Sequence, residues 1–152
     1  MRIFASHHVG IVVADMGKSL AFYRDIFGFK LQMERRITTP WVGAVNGVPN
    51  AQLHVVFLEG YGQRIELLAF APSEENLPRE GANRPGRVHL TFQVEDLAEA
   101  IEILEARGVE LVAPAQTNTE GPNAGSKVVF LFDPDGVRIE LVQPPPGRAQ
   151  FP

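Results

Sequence analysis

The sequence predicts an α+β protein built from one β-α-β-β-β unit used twice. Three observations carry that expectation. Arg64-Ile65-Glu66-Leu67-Leu68 returns, with one conservative change, as Arg138-Ile139-Glu140-Leu141-Val142, 74 positions further on. The apolar stripe Met16, Leu20, Tyr23 matches Leu97, Ile101, Leu104 at a constant offset of 81. His8 stands seven residues before Asp15, and His89 stands seven before Asp96.

Each element follows from local pattern. His8-Val9-Gly10-Ile11-Val12-Val13 is short and β-branched, a strand signal. Asp15 is an N-cap, and Met16, Leu20, Tyr23 and Phe27 form one helical stripe that Gly28 stops. Phe29–Arg36 reads as a second strand. Thr38–Asn50, rich in Pro, Gly and Asn, reads as loop. Gln52–Leu58 and Arg64–Phe70 read as a hairpin joined through Glu59-Gly60-Tyr61-Gly62. The programme then restarts. His89–Val94 is a strand, Asp96 with Glu99 resembles a capping box, and Gly108 ends the helix. Val109–Ala113 is expected as strand and Pro114–Ser126 as loop. Lys127–Phe132 and Val137–Val142 pair around Asp133-Pro134-Asp135-Gly136. The expected organisation is one domain over 1–152. Module one covers about 5–70, a connector 71–87, module two about 88–143, and a proline-rich tail 144–152, extended or unpacked.

Composition narrows function. A chain of 152 residues is long enough for a real core. Its net charge of −4, with no long basic cluster, argues against nucleic acid or an anionic membrane surface as main partner. Cysteine is absent, so any metal must be held by His nitrogen and carboxylate oxygen. Val9–Val13 is too short for an export signal or a span, and a soluble cytoplasmic protein is the expectation.

The acids at the centre of the repeated strands carry the functional argument. A carboxylate buried there without a partner costs several kcal/mol, of order 3 to 5. Taken alone, a strand His is commonly a hydrogen-bonded structural residue and a strand Glu commonly faces water. Here each half opens with a His-bearing strand and closes with a Glu-bearing one, at matched places. Two His and two Glu converging near an approximate twofold would give an N₂O₂ site for one divalent ion: Zn, Ni, Co, Mn or Fe. Arg64 and Arg138 neighbour the acids, which assigns them to the opposite face as surface charge. Trp41, in its loop, either covers a pocket or packs against the body. A hairpin pivoting on Gly60 sets His54 opposite Glu66 and on its face; the matching place in the second half holds Val128.

His8–Val13, Arg64–Leu68, His89–Val94 and Asp133-Pro134-Asp135-Gly136 followed by Ile139-Glu140-Leu141 together resemble the vicinal oxygen chelate superfamily. That group includes glyoxalase I, methylmalonyl-CoA epimerase, extradiol dioxygenases and bleomycin-resistance proteins. The resemblance implies paired βαβββ modules forming a half-open, eight-stranded, barrel-like sheet around a metal. Carried over by position, the ligands are His8, Glu66, His89 and Glu140, with His7 on the opposite face. It further implies a metal-dependent isomerase, epimerase or lyase that polarises a carbonyl of a small metabolite or thioester and moves a proton through an enolate. Glu140 is the first candidate for the base, Glu66 the second and His54 the third. The alternative is a non-catalytic small-molecule-binding or antibiotic-resistance protein or, with less support, an Fe(II) dioxygenase. A homodimer is expected. The glutathione-binding Arg of glyoxalase I is missing from the first strand, and Val88-His89 replaces the epimerase's double His, so the substrate stays open.

Overall fold

The computed structural model describes residues 1–74 and 83–149. The chain forms two compact units, Met1–Asn76 and Leu77–Pro152. Part of the expected connector and the last three residues of the tail lie outside the described residues.

In the first unit the elements are β1 (Val9–Val12), α1 (Met16–Leu20), β2 (Lys30–Ile37), α2 (Trp41–Asn46), β3 (Gln52–Gly60) and β4 (Gln63–Ala71). The sheet order is β1-β4-β3-β2, with β1 parallel to β4 and the other pairs antiparallel. Asp15 caps α1 through its carboxylate, which accepts from the Lys18 amide at 3.1 Å. The helix continues as a π turn over Ala21–Ile26. That wider turn rotates the buried face. Met16 and Tyr23 are buried as expected, but Ser19 and Phe22 take the inner places foreseen for Leu20 and Phe27.

The segment expected as loop contains α2. Its Val42 joins Ile37, Ala51, Leu53 and Val55 in a cluster backed by Phe57, Leu68 and Phe70. Gly43 has no room for a side chain, because a Cβ would stand 2.7 Å from the Val48 carbonyl oxygen. Six residues are too few for helical periodicity to declare itself.

The β3–β4 hairpin does not pivot on Gly60. Its two turn residues are Tyr61 and Gly62, with φ of 55° and 73°, the positive values that a two-residue hairpin turn requires. Tyr61 is anchored there by donating its hydroxyl to the Phe27 carbonyl at 2.6 Å. Phe57, not His54, therefore stands opposite Glu66, and His54 stands opposite Ala69.

The second unit contains β5 (His89–Gln93), α3 (Leu97–Ala106), β6 (Gln116–Thr117), β7 (Lys127–Phe132) and β8 (Arg138–Gln143), in sheet order β5-β8-β7-β6. Again the first strand runs parallel to the last. Asp96 Oδ1 accepts from the amides of Ala98 and Glu99, and Leu97 and Leu104 are buried beneath the helix. The expected strand Val109–Ala113 reduces to one bridge, Leu111 with Leu131. The edge strand is instead β6, inside the segment read as loop. At the β7–β8 turn, buried Asp133 accepts from the amides of Asp135 at 3.0 Å and Val137 at 2.7 Å. The tail is pinned as far as Ala149, whose carbonyl accepts from Gln93, while Arg148 donates to the Pro122 carbonyl. Both units thus share the βαβββ plan, as two four-stranded sheets that do not close.

Candidate metal centre

Period-two alternation decides what each sheet presents. In the first unit Glu59, Phe57, Val55, Arg64, Glu66 and Leu68 share one face, because Glu59 pairs with Arg64, Phe57 with Glu66 and Val55 with Leu68. Gly10, opposite Glu66 on β1, lies on that face too. Just before β1, His8 turns its imidazole toward Glu66, with Nε2 3.0 Å from Oε2. The Phe57 ring meets His8 edge-on, centroids 5.4 Å apart.

The second unit repeats the arrangement. His89 Nε2 lies 3.2 Å from Glu140 Oε2, and Phe130, opposite Glu140, meets His89 edge-on at 5.4 Å. A His–Glu–Phe constellation is therefore built twice. The two glutamates are only 18% and 20% exposed, so each charge depends on its imidazole or on a cation.

The donor geometry fits a metal. Two ligand atoms each about 2.1 Å from one cation, at angles of about 90° to 110°, stand about 3.0 to 3.4 Å apart. The observed separations of 3.0 and 3.2 Å fall in that range. Among the described residues, no group of three or more His, Asp and Glu side chains is close enough to hold an ion. Each unit by itself holds one imidazole–carboxylate pair.

The surroundings differ between the pairs. His7 is not on the opposite face; its Nδ1 lies 2.6 Å from His8 Nδ1 and its Nε2 is 3.3 Å from Arg64 Nη1. Arginine only donates and an ionised carboxylate only accepts. The chain therefore runs one way: Arg64 donates to His7 Nε2, and His7 Nδ1–H donates to His8 Nδ1. A cleft of about 300 Å³ opens here, with Ser6, His7, His8, Glu59, Gln63 and Arg64 in its wall. In the second unit Thr91, opposite Glu140, donates its hydroxyl to Oε2 at 2.7 Å. Gly10 takes the same place beside Glu66, where a Cβ would sit 3.8 Å from Oε2.

Further sequence expectations fail. Arg64 and Arg138 lie two residues from the acids and so on the same face. Arg138 rests its guanidinium over Phe130 and Phe132, at 5.0 and 5.6 Å from the ring centres. His54 is on the opposite face from Glu66, 2.7 Å from Glu34 Oε1, which removes its basis as a base candidate. Its counterpart by hairpin pairing is Lys127, not Val128, since Phe57 corresponds to Phe130. Trp41 is exposed on α2.

The model of the Glyoxalase/Bleomycin resistance protein/Dioxygenase superfamily matches residues 5–141. The chain belongs to this superfamily. The YaeR protein of Escherichia coli K12 is 33% identical over 144 residues, covering 90% of this chain and 94% of that protein. A 2-epi-5-epi-valiolone epimerase from an Actinomyces species is 29% identical over 151 residues, covering 94% and 81%. Among solved structures, a glyoxalase family protein from Bacillus cereus superposes with a TM-score of 0.81 at 22% identity, covering 95% and 97%. Membership agrees with the paired βαβββ modules. No helix among the described residues is long and apolar enough to cross a membrane.

Proposed function

We propose that this superfamily member is a divalent-metal-dependent isomerase, epimerase or lyase of a small carbonyl compound, with His8, Glu66, His89 and Glu140 as its metal ligands. One observation carries the reading: two His–Glu pairs, each with the N···O separation expected of neighbouring ligands on one ion. The cation, when bound, would polarise a carbonyl and acidify the C–H beside it.

The protein's own groups divide the remaining work. Glu140 is held from two sides, by His89 and by the Thr91 hydroxyl, and cannot turn without breaking the 2.7 Å bond. Glu66 has glycine where Glu140 has threonine, which leaves space for its carboxylate to swing. This supports Glu66, ahead of Glu140, as the group that takes and returns the proton. Phe57 and Phe130 each set an apolar ring edge-on against the imidazole of their pair, which holds that ring in place beside its glutamate.

Metal analysis and solvent-deuterium exchange test the reading together. The purified protein should take up one chelator-removable ion per chain. It should also exchange deuterium into at least one member of a panel of 2-oxo acids, hydroxy ketones, acyl thioesters and hemithioacetals. Glu66→Gln should abolish exchange while keeping the metal. A protein that binds no ion at micromolar concentration, or that binds panel members without exchange, would leave the catalytic reading without support.

A further inference from the structure

Arg64 and Arg138 are equivalent residues, each two positions before a candidate ligand Glu and on its face. Their charges are treated differently. Across the first hairpin Arg64 faces Glu59, which lies 3.6 Å from it. Across the second, the place of that acid is taken by Phe132. Among the described residues no carboxylate comes within ion-pair distance of Arg138. Arg138 is half-buried, its guanidinium carbon lying over the rings of Phe130 and Phe132, which hold it without neutralising its charge. Two groups stand nearest on this face. His89 is its partner across β5–β8, and Glu140, two residues along, is committed to His89 and Thr91.

We propose that Arg138 is an anion anchor. It binds a carboxylate, phosphonate or phosphate group of the substrate, placing the oxygens to be chelated against His89 and Glu140. A planar guanidinium held over two rings suits two-point recognition of such an oxyanion, and its missing counterion is the group the ligand brings. This rests on the metal reading above and narrows its substrate class to anionic carbonyl compounds. Arg64 has no such role, because Glu59 already answers its charge.

The test uses paired probes on the full chain. Acetohydroxamate chelates through two oxygens; malonohydroxamate and phosphonoacetohydroxamate add one carboxylate or one phosphonate to the same chelating group. On the Mn(II)-loaded protein at least one anionic probe should bind about tenfold or more tightly than acetohydroxamate by calorimetry. Which one does so separates carboxylate from phosphonate recognition. Arg138→Met should erase that preference and leave acetohydroxamate within about twofold, Arg138→Lys should keep part of it, and Arg64→Met should leave it intact. Equal affinity for all three probes, or a loss in Arg138→Met that falls equally on acetohydroxamate, overturns the anchor. In metal-free protein, malonate and phosphonoacetate should each be titrated against the Arg138 Nε–H resonance. A saturable shift with either, without any metal uptake, keeps the anchor and refutes the metal reading; no shift with either and no anionic preference refutes the anchor alone if the ion binds, and both if it does not. Dispersed amide spectra of Arg138→Met and Arg138→Lys check that both variants fold.

Discussion

Thr91→Val isolates the difference between the two His–Glu pairs. The substitution keeps shape and removes one hydroxyl, which donates at 2.7 Å to Glu140 Oε2. A hydrogen bond to an ionised carboxylate contributes about 1.5–3 kcal/mol. Thr91 is exposed, and Glu140 keeps the bond whether or not a metal is present, so the part that reports on metal binding is smaller, about 1–2 kcal/mol. That converts to a roughly fivefold to thirtyfold weaker metal affinity. Titration calorimetry with Mn(II) or Zn(II) measures it directly, with Thr91→Ser as the control that restores the hydroxyl. The glycine at the matching position supplies a second control: Gly10→Ala places a methyl 3.3 Å from Leu68 Cδ1 and adds no donor, so it should not tighten binding. If Thr91→Val binds within twofold of wild type while its melting curve is unchanged, the hydroxyl does not orient a metal ligand and the argument for an anchored Glu140 collapses.

Two further outcomes follow from the fold. Asp133→Ala leaves the amides of Asp135 and Val137 without their acceptor at a buried turn, and should cost about 2–4 kcal/mol in urea unfolding; a change under about 0.5 kcal/mol would show that the turn does not depend on the carboxylate. His54→Leu breaks a pair whose Glu34 is half exposed, so stability should fall by about 1 kcal/mol or less, with metal stoichiometry and deuterium exchange unchanged. Loss of exchange in that variant would return His54 to the reaction.

Much of this was legible in the sequence because duplication writes it twice. The repeats at offsets of 74 and 81 located both His–Glu pairs, and Asp15 and Asp96 placed both helix starts. The hairpin register was not legible from the turn residues as read. Pivoting on Gly60 sets 54 opposite 66, whereas the Tyr61-Gly62 turn sets 57 opposite 66, and an odd displacement sends a side chain through the sheet. A usable signal existed. Val55-Val56-Phe57-Leu58 recurs as Val128-Val129-Phe130-Leu131, which aligns the two phenylalanines and pairs His54 with Lys127. Strand alternation alone would have placed Arg64, Arg138 and Thr91 on the ligand face. His7 carried no such signal, since it precedes β1 and is held by contacts with His8 and Arg64 rather than by a strand's alternation. The helix α2 and the two-residue β6 were too short for any periodicity to be counted.

On the proposed metal reading, duplication would also explain how four like ligands could serve an asymmetric reaction. A proton transfer needs one group that holds still and one that moves, yet the repeat supplies two identical His–Glu pairs. The neighbours break the tie. Threonine at 91 restrains Glu140 where glycine at 10 leaves Glu66 room, and Phe132 frees the charge of Arg138 where Glu59 answers that of Arg64. Each exchange sits at a position paired directly with the ligand or with the arginine beside it, where one side chain alters the environment without disturbing the strands. On that reading the second half would hold its carboxylate through Thr91 and leave Arg138 without an acid across the hairpin, while the first half would leave Glu66 without such a donor. Exchanging the neighbours tests this division: a Gly10→Ser, Thr91→Gly double variant should transfer sensitivity of deuterium exchange from Glu66→Gln to Glu140→Gln. If Glu66→Gln remains the only inactivating change in that background, the neighbours do not assign the roles.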